Sequence, residues 1–83
     1  MNKNRRKQLE KIVEALEALR DDLEMLKDEE QECFDNLPES LQESEKGEIM
    51  QEYADDLEAA YDDLDNVICS IQDIIDRLII GNI

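Results

Sequence analysis

Apolar side chains recur along this chain in alternating steps of three and four residues, in two stretches separated by a single proline. The first stretch runs Leu9, Ile12, Leu16, Leu19, Leu23 and Leu26, then weakens through Glu30 and Cys33 to Leu37. The second runs Met50, Tyr53, Leu57, Ala60, Leu64, Val67, Ile71, Ile74 and Leu78. Such steps average 3.5 residues and keep one helix face apolar over many turns, the pattern of a coiled-coil seam. The stripes meet around Pro38, which cannot continue a helix and pushes Leu37 out of the helical region. The spacing predicts an all-α fold, an antiparallel hairpin of two long helices in one domain, 1–83. Helix 1 is expected over about 4–35, a turn with room for a short helix over 36–44, and helix 2 over about 45–80.

The turn carries its own signals. Asn36 tolerates the left-handed conformation that ends helices. Ser40-x-x-Glu43 has the form of a capping box, and Ser44 is a second N-cap candidate. Phe34, Leu37 and Leu41 are expected to plug the closed end. Between the stripe residues of helix 1, Glu10, Lys11, Glu14, Glu17, Arg20, Asp21 and Asp22 read as a solvated face. A pair such as Glu24 with Lys27 adds only ~0.2–0.5 kcal/mol there.

Helix 2 carries a further apolar row at seven-residue spacing: Ala54, Tyr61, Ile68 and Ile75. Three apolar positions per heptad make a face too wide for a two-helix seam and typical of a bundle helix. That row, with Ile79 from the apolar C-terminal segment, is the expected interface of a homo-oligomer, a dimer forming a four-helix bundle or a larger assembly. Length supports this, because 83 residues bury only a thin core on their own.

Charge narrows the partners. Twenty-four acidic residues against nine basic ones give a formal charge of −15. Such a chain repels nucleic acid and anionic lipid, so neither DNA or RNA binding nor a membrane partner is expected, and a basic protein surface is favoured. Aspartates repeat every seven residues on helix 2, at Asp55 and Asp56 and again at Asp62 and Asp63. Those four are the candidate partner-binding residues, able to enter a basic groove built for nucleic-acid phosphates. At the opposite extreme, five of the nine cations lie within the first eleven residues, and the hairpin returns Arg77 to the same end. Arg5, Arg6, Lys7 and Arg77 are therefore candidate anion-binding residues beside an apolar helix end.

Catalytic chemistry has few carriers here. The chain has no histidine, and Cys33 and Cys69 stand far apart, expected to be unpaired thiols. Zinc and di-iron sites lack their ligands, and a Ser or Cys nucleophile lacks a His base. Asp62-Asp63-Leu64-Asp65-Asn66 lacks the turn glycine and distal ligand of a calcium loop. With glycine only at 47 and 81, there is no phosphate loop. No enzyme activity, no metal and no cofactor are expected. The basic N-terminus is followed by amphipathic sequence, not by a signal-peptide core, and no apolar run reaches the ~20 residues of a membrane span. The expected location is the cytoplasm of the producing or infected cell.

The segment from Phe34 to Glu48, FDNLPESLQESEKGE, and the acidic residues before it resemble small acidic helical proteins of phages, prophages and mobile elements of Gram-positive bacteria. That group has no settled activity, so the resemblance implies a setting and no site residues: an accessory protein in the cytoplasm of a bacterial host cell, infected or lysogenic. Three functions are expected in order, the first two by analogy of context. The first is inhibition of a host defence protein through the acidic helical faces. The second is a homo-oligomeric sponge holding a signalling nucleotide at the basic tip and apolar end. The third is a structural or assembly scaffold.

Overall fold

The computed structural model describes residues 2–81, with side chains described as far as Arg77. Helix α1 spans Lys3–Asp35, α2 Glu39–Gln42 and α3 Glu45–Gly81. Helix accounts for 92% of the described residues, none of which lies in a strand, and α1 and α3 run side by side in an extended hairpin 59 Å long. Asn2 caps α1, its Oδ1 accepting from the Arg5 backbone N–H at 2.8 Å.

The two stripes did predict two helices, but the seam between them uses a different pair of rows on each. On α1 the residues turned inward are Leu9, Leu16, Leu23 and Glu30, with Leu37 just beyond its end, together with Arg6, Val13, Arg20, Lys27 and Phe34. On α3 they are Met50, Leu57, Leu64 and Ile71, together with Gly47, Ala54, Tyr61, Ile68 and Ile75. Both sets again step by three and four. Among the described residues Val13, Ala54, Ile68 and Ile75 are the buried hydrophobic ones, and Val13, Ile68 and Ile75 form one cluster with Leu9, Leu16, Leu64 and Ile71 packed around it.

This corrects the interface expected from sequence. Ala54, Ile68 and Ile75 are already buried inside one chain, and Tyr61 is half-buried beneath Arg20, so this row cannot serve as a free surface. Ile79 lies outside the residues whose side chains are described. The rows left outside the seam are Ile12, Leu19 and Leu26 on α1, and Tyr53, Val67 and Ile74 on α3. The reason is geometric: each helix has three adjacent apolar-compatible rows, and a single neighbour covers two.

The turn is built differently from its sequence signals. Asn36 stays right-handed at φ −82°, and α1 ends instead by tightening, with Leu37 N–H bonding the Phe34 carbonyl at 3.1 Å before Pro38 stops it. The α2 helix begins at Pro38 without a side-chain cap, so the Ser40–Glu43 capping box does not form. Gln42 then reaches back, its Nε2 donating to the carbonyls of Phe34 at 3.1 Å and Asp35 at 3.3 Å. It thereby satisfies acceptors that the end of α1 leaves open. Ser44 caps α3, its Oγ accepting from the Gly47 N–H at 3.4 Å.

Gly47 is buried where α3 meets α2, and a methyl group there would overlap the backbone carbonyl oxygens of Gln42 and Leu41. Alanine favours helix by up to about 1 kcal/mol over glycine, but overpacking against rigid backbone costs about 1–3 kcal/mol. Gly47→Ala should therefore lower stability by about 1–2 kcal/mol in urea unfolding. Ile68→Asp should abolish most of the helical signal in circular dichroism, because it places a charge inside the seam. An Ile68→Asp protein that keeps wild-type helicity would contradict the seam assigned here.

Candidate functional site

The heptad pattern gives the hairpin two unlike edges. In an antiparallel pair, the rows flanking the seam meet like with like, so one edge of α1 always lies beside one edge of α3. Hydrogen bonds identify the polar edge. Gln31 and Gln51 exchange side-chain amide bonds at 3.4 and 3.3 Å across the helices. Arg20 Nη1 donates to Asp65 Oδ1 at 2.8 Å. Glu10, Glu14 and Glu17 line a shallow groove with Gln72, floored by Val13 and Ile75. The other edge consequently brings together Ile12, Leu19 and Leu26 with Tyr53, Val67 and Ile74.

Arg20 is the least expected residue of the seam. It belongs inside, not on the solvated face, because it follows Val13 and precedes Lys27 by seven residues each. Its guanidinium lies 5.8 Å from the Tyr61 ring centroid, within cation–π range, and its stem packs between the helices. The hydrogen bond to Asp65 holds the guanidinium above its ordinary pKa, against the opposing effect of burial and with smaller help from Tyr61 and Asp21. Its Nε is enclosed and has no partner among the described residues. Lys27 pairs with its neighbour Asp28 at 3.5 Å and not with Glu24.

Asp55, Asp56, Asp62 and Asp63 are all exposed on the side of α3 turned away from the seam. Helix rise separates the two pairs by about 10 Å. None of the four forms an ion pair among the described residues, and Asp55 only accepts from Gln51 Nε2 at 3.1 Å. The Arg20–Asp65 pair sets the axial register, which puts Asp63 level with Asp22 and Asp56 level with Glu29 on α1. The aspartates thus belong to a band of carboxylates that surrounds the rod near its turn.

Arg5, Arg6 and Lys7 occupy the first turns of α1, and the same register brings Arg77 level with them at the other end. Arg6 is half-buried in the seam, while Arg5, Lys7 and Arg77 are exposed, and Arg77 Nε bonds the Asp73 carbonyl of its own helix at 3.4 Å. The neighbouring groove is lined by glutamates, which disfavour a phosphate there. Cys33 and Cys69 are exposed free thiols. Cys33 is outside the seam in which its stripe position had placed it.

The charge is partitioned along the rod. Residues 20–64, the half containing the turn, hold 18 acidic and 3 basic side chains, whereas residues 1–19 and 65–83 together hold 6 of each. The whole formal charge of −15 therefore resides in the turn half. Among the described residues, no helix is long and apolar enough to cross a membrane, and no three carboxylates or thiols are grouped to hold a metal ion. The chain matches no protein-family model, no curated protein and no solved structure.

A half-buried cation with an unpartnered Nε specifies register at some cost in stability. Arg20→Leu should raise the thermal midpoint, since an apolar side chain fills the same place without desolvating a charge. Asp65→Ala should lower it slightly, because Arg20 then loses its closest acceptor while staying charged. Thermal unfolding of the two variants checks the opposite signs.

Proposed function

We propose that this protein is a non-enzymatic, self-associating helical module that binds and inhibits a basic protein through the carboxylates of its turn half. The observation that carries this reading is the partition of charge: a formal −15 confined to residues 20–64, with Asp55, Asp56, Asp62 and Asp63 exposed and without an ion pair on one long helix. Helices hold the carboxylates at fixed spacing, so a partner orders few side chains of the module on binding. A field of one sign also accelerates encounter with a surface of the other. The partner's surface is one suited to nucleic-acid phosphates, and the resemblance to phage and mobile-element proteins makes a host defence protein the proposed target. Action inside the host cell belongs to the same proposal.

The signalling-nucleotide alternative has the weaker support. Its cations share one end of the rod, but the groove beside them is acidic.

The test is capture of host proteins from a Gram-positive lysate, followed by salt and competition measurements on the purified partner. Captured partner should be released as ionic strength rises and displaced by duplex DNA. Reversing Asp55, Asp56, Asp62 and Asp63 to Lys should abolish capture with helicity intact, while Arg5→Ala, Arg6→Ala and Lys7→Ala together should leave it unchanged. Capture that survives the aspartate reversal but fails in the Arg/Lys variant would overturn the reading in favour of the basic end. Indifference to both variants would leave a scaffold.

A further inference from the structure

We infer that the apolar edge of the hairpin is where a second copy of this chain docks, with the two hairpins packed end for end, the turn of one over the chain termini of the other. This rests on the self-associating part of the reading above and names the face and polarity of the assembly. Partner capture is measured separately, and Asp55→Lys with Asp62→Lys, at positions away from the strip, tests it without touching the docking face, so failure of one does not imitate failure of the other.

The face is continuous and apolar. Ile12, Leu19 and Leu26 on α1 flank the same side of the seam as Tyr53, Val67 and Ile74 on α3. Leu19 is 55% and Tyr53 56% exposed, large values for side chains of this size in a folded chain. Ala60 and Cys33 continue the rows at the same seven-residue spacing. From Ile12 to Cys33 the strip is about 32 Å long at 1.5 Å per residue.

The exposed area matches what a dimer needs. The chain exposes 6143 Å². A monomer of 9.7 kDa is expected to expose about 5,100 Å². The excess, about 1,000 Å², is close to the roughly 800 Å² that each partner contributes to an interface of standard size.

Charge selects the second copy's direction. Two hairpins packed with their turns together would superimpose two halves that each carry the full −15. Packed end for end, the half with 18 acidic and 3 basic side chains lies over the half with 6 of each, so like charges separate and the N-terminal cations approach the partner's carboxylates. Glu29 and Asp56, at the strip's margin, then face the margin where Ala15 and Ser70 of the other copy stand, while Asp22 and Asp63 lie beside the two-fold axis. A two-fold axis across the middle of the strip sets α1 against α1 and α3 against α3, both antiparallel. Leu19 meets Leu26, Ile12 meets Cys33 and Ala60 meets Val67 of the other copy, a self-complementary arrangement.

The pairing of Ile12 with Cys33 supplies the test. Within one chain these positions are about 32 Å apart along the helix, far beyond a disulfide's reach. Sedimentation equilibrium at tens of micromolar should show a dimer, and Leu19→Glu with Val67→Glu should convert it to a monomer of unchanged helicity, since both sites face solvent in the hairpin. Glu17→Gln with Glu58→Gln, on the polar edge, should leave the dimer intact. With Cys69→Ser to remove the other thiol, Ile12→Cys should yield an oxidised dimer through native Cys33. Tyr53→Cys, which neighbours Cys33 of its own chain and faces Cys33 of the second copy only if the turns lie together, should yield no covalent dimer. A monomeric wild type, a dimer unaffected by Leu19→Glu with Val67→Glu, or covalent dimer from Tyr53→Cys alone would each overturn the proposal.

Discussion

Each long helix of this protein offers three adjacent rows of residues able to enter a core, and one antiparallel neighbour covers only two of them. Which two are chosen fixes the rest of the molecule. Taking Val13 and Ile68 inward leaves Leu19 and Val67 outside, places Arg20 and Lys27 in the seam, and separates a polar edge from an apolar one. The closed end helps to make the choice. Gly47 can lie against the carbonyls of Leu41 and Gln42 only with one face of α3 turned toward α2, and every later row of α3 inherits that rotation. Small Ala54 one heptad further on continues the close approach.

The cations in the seam fit the same choice. Arg20 and Lys27 bury aliphatic stems between the helices and keep their charges toward acceptors, Asp65 for the former and Asp28 for the latter. A Leu row in their place would give a drier seam, and it would also make the two edges harder to tell apart. Polar seam residues specify one pairing among several at a modest cost. Asp55 and Asp62 then lie on the side of α3 away from the apolar strip, whereas Asp56 and Asp63 flank it.

The number and type of the helices were legible because their stripes persist over many turns and only Pro38 interrupts both. The identity of the buried row was not. Leu19 and Ile12 outscore Arg20 and Val13 by hydrophobicity, so a reading of periodicity alone selects the row that the fold leaves outside. The seven-residue recurrence of Val13, Arg20, Lys27 and Phe34 was present, but two charged members hid it. At the turn, Asn36 and the Ser40–Glu43 box answered to local preference, whereas Gln42 and Gly47 act through contacts made only after the chain has folded back. The aspartate face was legible because exposure requires no partner to reveal it.

The Gln42 contacts and the Gly47 approach join residues no more than eight apart in sequence. Every further layer of the seam, from Gln31–Gln51 to Arg20–Asp65, spans a longer stretch of chain than the one before it. The entropy of closing the hairpin is therefore met mainly once, at the turn, and each new layer adds only the ordering of its own residues. Folding from such an end is a zipper with a defined starting tooth. The same end carries all the formal charge, so its first closure is the step most opposed by repulsion and most eased by dissolved salt.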